Sequence, residues 1–190
     1  MRTRRRSPPP YGVRMQTRQI PPRTSRFDTP FGPLLVRAHD GVVHALRPWR
    51  VGDAADDDGS NRPIHDVLDA YLSGDAPTLG LPCEATGTPF QCSVWSAVTE
   101  IGWGELTTYA ALAELIGRPG SARAVGQAVA AHPAPLVLGT HRVVAGDGRL
   151  TGADRDAIVW KTALLRLEGH IVHEGRLIGA EAAGSVRVAA

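Results

Sequence analysis

Two glycines and a proline crowd into Gly117-Arg-Pro-Gly120, between two stretches whose apolar residues recur at helical spacing. Proline has no backbone N–H to give and glycine weakens a helix, so this tetrapeptide must be a turn. Upstream, Thr107 or Thr108 is placed to cap a helix running through about Ile116. Downstream, Ser121 is placed to cap another running to about Ala131, with Val125, Ala128 and Val129 on its inner face. Two short helices joined by a four-residue turn have the form of a helix-turn-helix. The form is shared by many helical hairpins that never touch DNA.

The flanking sequence places this unit in an α+β chain. A small N-terminal α/β subdomain is expected to precede a mainly helical, winged-helix-like C-terminal domain. From Phe27 to Pro48 a hairpin is predicted: Leu34, Val36 and Ala38 alternate on one strand, Val42, His44 and Leu46 on the next, and Asp40-Gly41 forms the turn. Pro63–Leu72 reads as a short helix with Ile64, Val67, Leu68 and Tyr71 on one face. Gly74–Thr86 is rich in proline and glycine and is expected to be a linker. Phe90, Val94, Val98 and Ile101 form a further helical stripe, broken by Gly102-Trp-Gly104. Asp156–Leu167 reads as the last helix, ending at Gly169. The expected organisation is a tail over 1–26, domains over 27–82 and 87–170, and an extension over 171–190.

Charge separates the tail from the rest. Residues 1–26 hold eight arginines and no acid, so the net +2 of the chain conceals a body of net −6. Prolines at 8, 9, 10, 21 and 22 make that tail an extended, disordered segment by composition. Such an arm could add salt-sensitive phosphate contacts. A solvated extension, or a start at Met15, accounts for it as well. A transit peptide would also be arginine-rich, but the prolines oppose an amphipathic helix. With 43% hydrophobic and 21% charged residues the composition fits a soluble protein of one or two small domains. Cys83 and Cys92 are too few for a disulfide framework and suit a reducing cytoplasm, beside the nucleoid if DNA is the partner. No zinc-type spacing is present, and neither a metal nor a cofactor is expected. Gly146-Asp-Gly148 could be a piece of a nucleotide-binding loop, but a hairpin turn explains it without a phosphate.

Several segments together carry a family resemblance. Gly87-Thr-Pro-Phe-Gln91, Val94-Trp95, Gly104-Glu105, Thr108-Tyr109, Ile116-Gly117, Ala122-Arg-Ala-Val-Gly126, His141-Arg-Val143 and Glu168-Gly169 occur in the order and spacing of one family. Over Gly87–Gly169 the chain strongly resembles the C-terminal domain of the O6-alkylguanine-DNA alkyltransferases, the methylated-DNA–protein-cysteine methyltransferases. Thr29-Pro-Phe-Gly32 resembles, more weakly, the start of the family's N-terminal domain. The resemblance implies double-stranded DNA as partner, with the helix-turn-helix in the minor groove. Arg123 corresponds to the arginine that fills the gap left by a flipped guanine, and Tyr109 to the tyrosine that helps rotate the nucleotide. Small residues Ser121, Ala122 and Ala124 would let the helix approach the groove floor. Read alone, Tyr109 is better taken as a core residue and Arg123 as a solvated one; within the pattern the functional reading is favoured.

The departures bear on mechanism. Where the family has Pro-Cys-His-Arg-Val, this chain has Gly139-Thr140-His141-Arg142-Val143. The resemblance implies a relay from Glu168 through His141 and a water to a cysteine thiolate, and Thr140 stands in the thiolate's place. Activated hydroxyls attack carbonyl or phosphoryl centres, whereas displacement at a saturated carbon offers no oxyanion to stabilise. The reading therefore leans against an enzyme, with no catalytic residue set intact and His141 and Glu168 as remnants or as a packed pair. Gly139 is expected to loosen the turn, and His132 replaces a bracing asparagine. Thr151-Gly-Ala-Asp-Arg-Asp156 replaces a glycine-rich pocket loop, with Asp154 and Asp156 bringing negative charge beside Ala153. The expected pocket is Gly139, Thr140, Arg142, Val143, Ala153 and Asp154. Cys83 and Cys92 are expected to be buried or inert. The leading expectation is a monomeric protein that recognises and flips O6-alkylguanine without alkyl transfer and engages repair-pathway proteins. A methyltransferase with residual activity and a damage-blind DNA-binding module are the alternatives.

Overall fold

A computed structural model describes residues 21–178; residues 1–20 of the basic tail and 179–190 of the C-terminal extension lie outside them. The predicted hairpin is the centre of a three-stranded antiparallel sheet, β1 (Arg23–Phe27), β2 (Leu34–His39) and β3 (Val42–Pro48), in the order β1-β2-β3. Asp40 and Gly41 both take positive φ, 48° and 75°, as a two-residue hairpin turn requires. Strand β1 begins inside the segment expected to be a disordered tail. Ser25 and Phe27 alternate inward there, and the buried Ser25 hydroxyl is satisfied by His65 Nε2 at 2.8 Å and Asn61 Nδ2 at 3.0 Å. Burial with satisfied polar groups outweighs the arginine-rich composition.

On β2 the inward residues are Leu34, Val36 and Ala38, as expected, together with Leu35. On β3 they are Val43 and Leu46, not Val42 and His44. Arg37 pairs with Ala45 but Ala38 with Val43, so His44 is an extra residue at a bulge. That insertion flips the strand's period-two pattern, and alternation alone cannot foresee it.

Helix α1 (Arg62–Leu72) covers the sheet through Ile64, Leu68 and Tyr71. The following proline-rich stretch is tethered rather than loose. Val43 N donates to Pro82 O at 2.8 Å and Glu84 N to Val43 O at 2.9 Å, and Leu79 is buried. Helix α2 (Pro89–Thr99) opens with a capping box between Thr88 and Gln91. Then come β4 (Thr107–Thr108), α3 (Tyr109–Leu115) and α4 (Ala122–Ala130). The Thr108 hydroxyl caps α3 by accepting from Ala111 N at 3.1 Å. Ser121 stands at the cap position of α4 but does not cap, because its hydroxyl donates back to the Arg118 carbonyl. The turn between them bends at Gly117 and Gly120, φ +70° and +81°.

Helix α5 (Pro135–Leu138), a 3-10 turn (Thr140–Arg142) and β5 (Val143–Val144) lead back to pair β5 in parallel with β4. Helix α6 (Arg155–Leu167) follows, then a hairpin of β6 (Val172–His173) and β7 (Arg176–Leu177). That hairpin lies in the stretch expected to be an extension, and it is packed because Val172 and Leu177 join Val144, Leu150 and Leu165 in a small core. The N-terminal sheet does not have a core to itself. Its buried residues cluster with Ala134, Leu136, Trp160 and Leu164. A second cluster unites α2, α3 and α4 with Leu138 and Val143. The segment 133–144 therefore runs between two cores, and the candidate site is built on it.

Candidate functional site

A cavity of about 630 Å³ opens where α4, the 139–141 turn, the 151–154 loop and α6 meet the end of β3. Its wall includes Tyr109, Ala122, Arg123, Thr140, His141, Ala153 and Asp154 of the residues singled out by sequence. Ser121 and Ala124 are half-buried on α4 away from the wall, and Gly139, Arg142 and Val143 stand behind it. For each of the last three the reason is local. Val143 is fully buried in the core around α2–α4. Arg142 turns its guanidinium onto Glu168, with Nη2–Oε1 at 2.8 Å, and donates from Nη1 to Ile101 O at 2.7 Å. Gly139 is buried with φ +77°, the left-handed residue that ends α5. It is a conformational fit rather than a loose joint, since proline cannot adopt that φ.

Glu168 is the best-satisfied acid of the molecule's interior. It accepts from His141 Nε2 at 2.7 Å, Arg142, Gly104 N at 2.9 Å and Tyr71 OH at 3.2 Å. Burial pushes its carboxyl up, but hydrogen bonds from His141 and Arg142 outweigh this and bring it down to about 2. Glu168 is therefore an ionised acceptor, and His141 Nε2 carries the proton it receives. Burial also drives His141 below its usual range, against the pull of Glu168, so the ring is neutral. Its Nδ1 is left with a lone pair and no partner among the described residues. Next to it in the chain, Thr140 brings a hydroxyl to the same wall. The wall carries a neutral imidazole and an alcohol, with no hydrogen bond between them.

His132 was expected near this turn and forms part of the wall, 4% exposed. Its Nδ1 accepts from Ala134 N at 3.1 Å and its ring meets Trp95 edge-on, centroids 4.8 Å apart. Burial lowers its pKa to about 4, so it too is neutral near pH 7.

Lys161 escaped sequence reasoning. It is buried on α6, and its ammonium donates to the Val143 carbonyl, to Thr151 O at 3.2 Å and to Tyr109 OH at 3.5 Å. Three donors meet three acceptors, and burial lowers its pKa to about 8. Tyr109 also bonds Thr151 Oγ1 at 2.9 Å, so Lys161 and Thr151 fix the tyrosine at the cavity mouth. A lone lysine carries no pattern in the sequence; its being the single lysine was the only signal.

Asp154 does not act as bare charge. One carboxylate oxygen accepts from Ala157 N at 2.8 Å, capping α6, and the other pairs with Arg50 at 2.9 Å. Asp156 is exposed in the first turn of α6, away from the wall. Cys83 is half-buried with a thiol pushed up to about 11 by burial. Cys92 is exposed rather than buried, because it falls on the outer face of α2. Neither lines the cavity. Among the described residues no cluster of three His, Cys, Asp or Glu could hold a metal ion. Among them, too, no helix is long and apolar enough to cross a membrane.

The chain is similar to known proteins over most of this structure. Residues 89–170 match the family model described as 6-O-methylguanine DNA methyltransferase, DNA binding domain. The methylated-DNA–protein-cysteine methyltransferase of Mycobacterium leprae is 36% identical over 153 residues, 77% of this chain and 92% of the relative. That of Mycobacterium tuberculosis is 37% identical over 149 residues, 75% of this chain and 89% of the relative. The crystal structure of Mycobacterium tuberculosis O6-methylguanine methyltransferase aligns with TM-score 0.72 at 35% identity, over 77% of this chain and 92% of the other. Mycobacterium tuberculosis OGT in complex with DNA aligns with TM-score 0.68 at 36% identity, over 75% of this chain and 90% of that one.

Proposed function

The chain belongs to the 6-O-methylguanine DNA methyltransferase family, and from that premise we propose that it binds DNA and holds an extruded O6-alkylguanine without taking the alkyl group. The observation that carries this reading is the makeup of one cavity wall. Tyr109, Arg123, Thr140 and His141 share it, and no cysteine does. Helix α4 presents Arg123, exposed, at the rim, beside small Ala122 and Gly126. An arginine there can occupy the space vacated by a base, and a base must leave the stack before O6 is reachable, at a cost of a few kcal/mol. Tyr109, held by Thr151 and Lys161, stands where a rotated nucleotide would enter.

Alkyl transfer needs more than a base. Thr140 makes no hydrogen bond to His141 Nδ1, and an alcohol resists deprotonation far more than a thiol and is a weak nucleophile toward saturated carbon. The acceptor position is therefore read as inert, and retention of lesion binding would mark damage for other repair proteins.

Equilibrium binding to an O6-methylguanine duplex and to the undamaged duplex at equal salt tests the first half. The damaged duplex is expected to bind more tightly; equal affinities would sink it. Incubation with isotopically methylated DNA tests the second, and protein-bound label at Thr140, Cys83 or Cys92 would overturn it. A damage-blind DNA-binding module is favoured by the altered 151–156 loop, whose Asp154 sits on the rim. Arg123→Ala separates the two. Loss of binding confined to the damaged duplex supports extrusion, and no change supports the blind module.

A further inference from the structure

Arg50 and Asp154 lie 104 residues apart in the chain and meet at the cavity rim. Arg50 follows β3, in the N-terminal half; Asp154 caps α6. Among the residues lining the cavity Asp154 is the one carboxylate, against the cations Arg47, Arg50, Arg123 and Lys161. Two of those cations are already committed. Arg47 makes a two-pronged pair with Asp53, at 2.9 and 2.7 Å, and Lys161 is buried among its three acceptors. Arg50 and Arg123 remain as the exposed cations of the rim. Of these, Arg50 carries a carboxylate.

The pair is built to exchange. Its side chains are 55% and 41% exposed, and an ion pair so open to water is weak and easily replaced. Carboxylate and phosphate oxygens offer a guanidinium the same acceptor geometry. Asp154 does not depend on Arg50 to stay in place, because its other oxygen is anchored to the start of α6 at Ala157 N. We propose that Arg50 is a phosphate-binding residue for the DNA strand that feeds the cavity, and that Asp154 occupies its guanidinium in the free protein as a stand-in for that phosphate. The inference rests on the DNA binding proposed above, and it adds a contact from the N-terminal half to the one helix the family pattern supplies.

Asp154→Asn isolates the effect. Asparagine keeps an oxygen for Ala157 N and remains a good helix cap, while its charge no longer holds Arg50 or repels a phosphate. Binding of undamaged and O6-methylguanine duplexes is measured across a salt series for the wild type, Asp154→Asn, Arg50→Ala and the double variant. Asp154→Asn is expected to tighten binding on the order of fivefold with the logarithmic salt slope kept, because Arg50 reaches the same phosphate in both complexes. The gain should vanish when Arg50 is already alanine. A gain that survives in the Arg50→Ala background would mean Asp154 merely repels DNA, and would overturn the proposal, as would no gain on either duplex. If Asp154→Asn lowers the melting temperature, Arg50→Gln must weaken binding and flatten the slope by about 0.9, one phosphate contact, or the proposal fails. Loss of lesion preference sinks the extrusion reading alone, because the exchange is scored on undamaged DNA as well.

Discussion

Glu168 shows how much one buried carboxylate can organise. Four residues from three parts of the chain, Tyr71, Gly104 and the adjacent His141 and Arg142, donate to it. Glu168→Gln keeps the shape but removes the charge that Arg142 balances, and its amide must face a guanidinium or an imidazole N–H. The expected loss is about 3–5 kcal/mol, the usual cost of breaking a buried pair, read as a drop in the urea midpoint; a loss under about 1 kcal/mol would deny it a structural role. His132 and Glu168 are among the groups that set the response to acid. His132 falls from 6.5 in the open chain to about 4 in the fold, so the unfolded chain binds its proton first. Stability from keeping it neutral is fully present above pH 6.5 and is lost as pH falls toward 4, about 3 kcal/mol over that window. Glu168, lowered from 4.5 to about 2, adds its loss only below pH 4.5. His132→Asn can still accept from Ala134 N, so it should flatten urea-midpoint against pH between 7 and 5. Buried His141 and His65 are also depressed and leave a residual slope. An unchanged slope in the variant would show that His132 is not a buried neutral group.

Elements were legible where a period or a cap dictates them. The helical stripes give α1, α2, α4 and α6 within a residue or two, because one face of each must be buried. Asp40-Gly41 gives the hairpin turn for the same local reason. What stayed hidden depends on long-range fit. The bulge at His44 exists only against Arg37 and Ala38, and β1 only because Ser25 finds His65 and Asn61. Tyr71, legible as a core residue of α1, gives no sign of reaching Glu168. The site divides in the same way: the resemblance supplied Tyr109, Arg123, Thr140, His141 and Asp154, while Lys161 and Arg50 became visible only as neighbours in space. Gly139 marks the boundary between the two kinds of information. A glycine where the resembled family has proline suggests slack, yet its φ of +77° and its N–H to Leu136 O, 3.2 Å, make it the stop of α5. Gly139→Ala should cost about 1–2 kcal/mol for the left-handed backbone. Gly139→Pro should cost about 3 kcal/mol or more, since it forbids that φ and removes the N–H. Equal melting temperatures for the glycine and proline forms would refute the assigned turn.

At the scale of the molecule the site is a joint product of two halves. The segment 133–144 is wedged between the core under the N-terminal sheet and the core of α2–α4, sharing Ala134 and Leu136 with one and Leu138 and Val143 with the other. Cavity shape at Thr140 therefore answers to packing on both sides. Thr140→Cys alone places a thiol on the wall that His141 shares, with the Glu168 network behind it. It leaves unchanged the left-handed entry at Gly139, the neutral His132 in the wall, and the Arg50–Asp154 pair across the rim. Displacement at carbon requires the sulfur within near-attack distance and in line with the departing oxygen, and an ångström of misplacement costs about a hundredfold. The expected outcome for Thr140→Cys is a thiol that reacts with a small alkylating probe but acquires less than one methyl per molecule from O6-methylguanine DNA, read by intact mass. Stoichiometric methylation of Cys at that position would mean that residues 132, 139 and 151–156 had drifted without consequence. A thiol at position 140 would then suffice for transfer in this cavity.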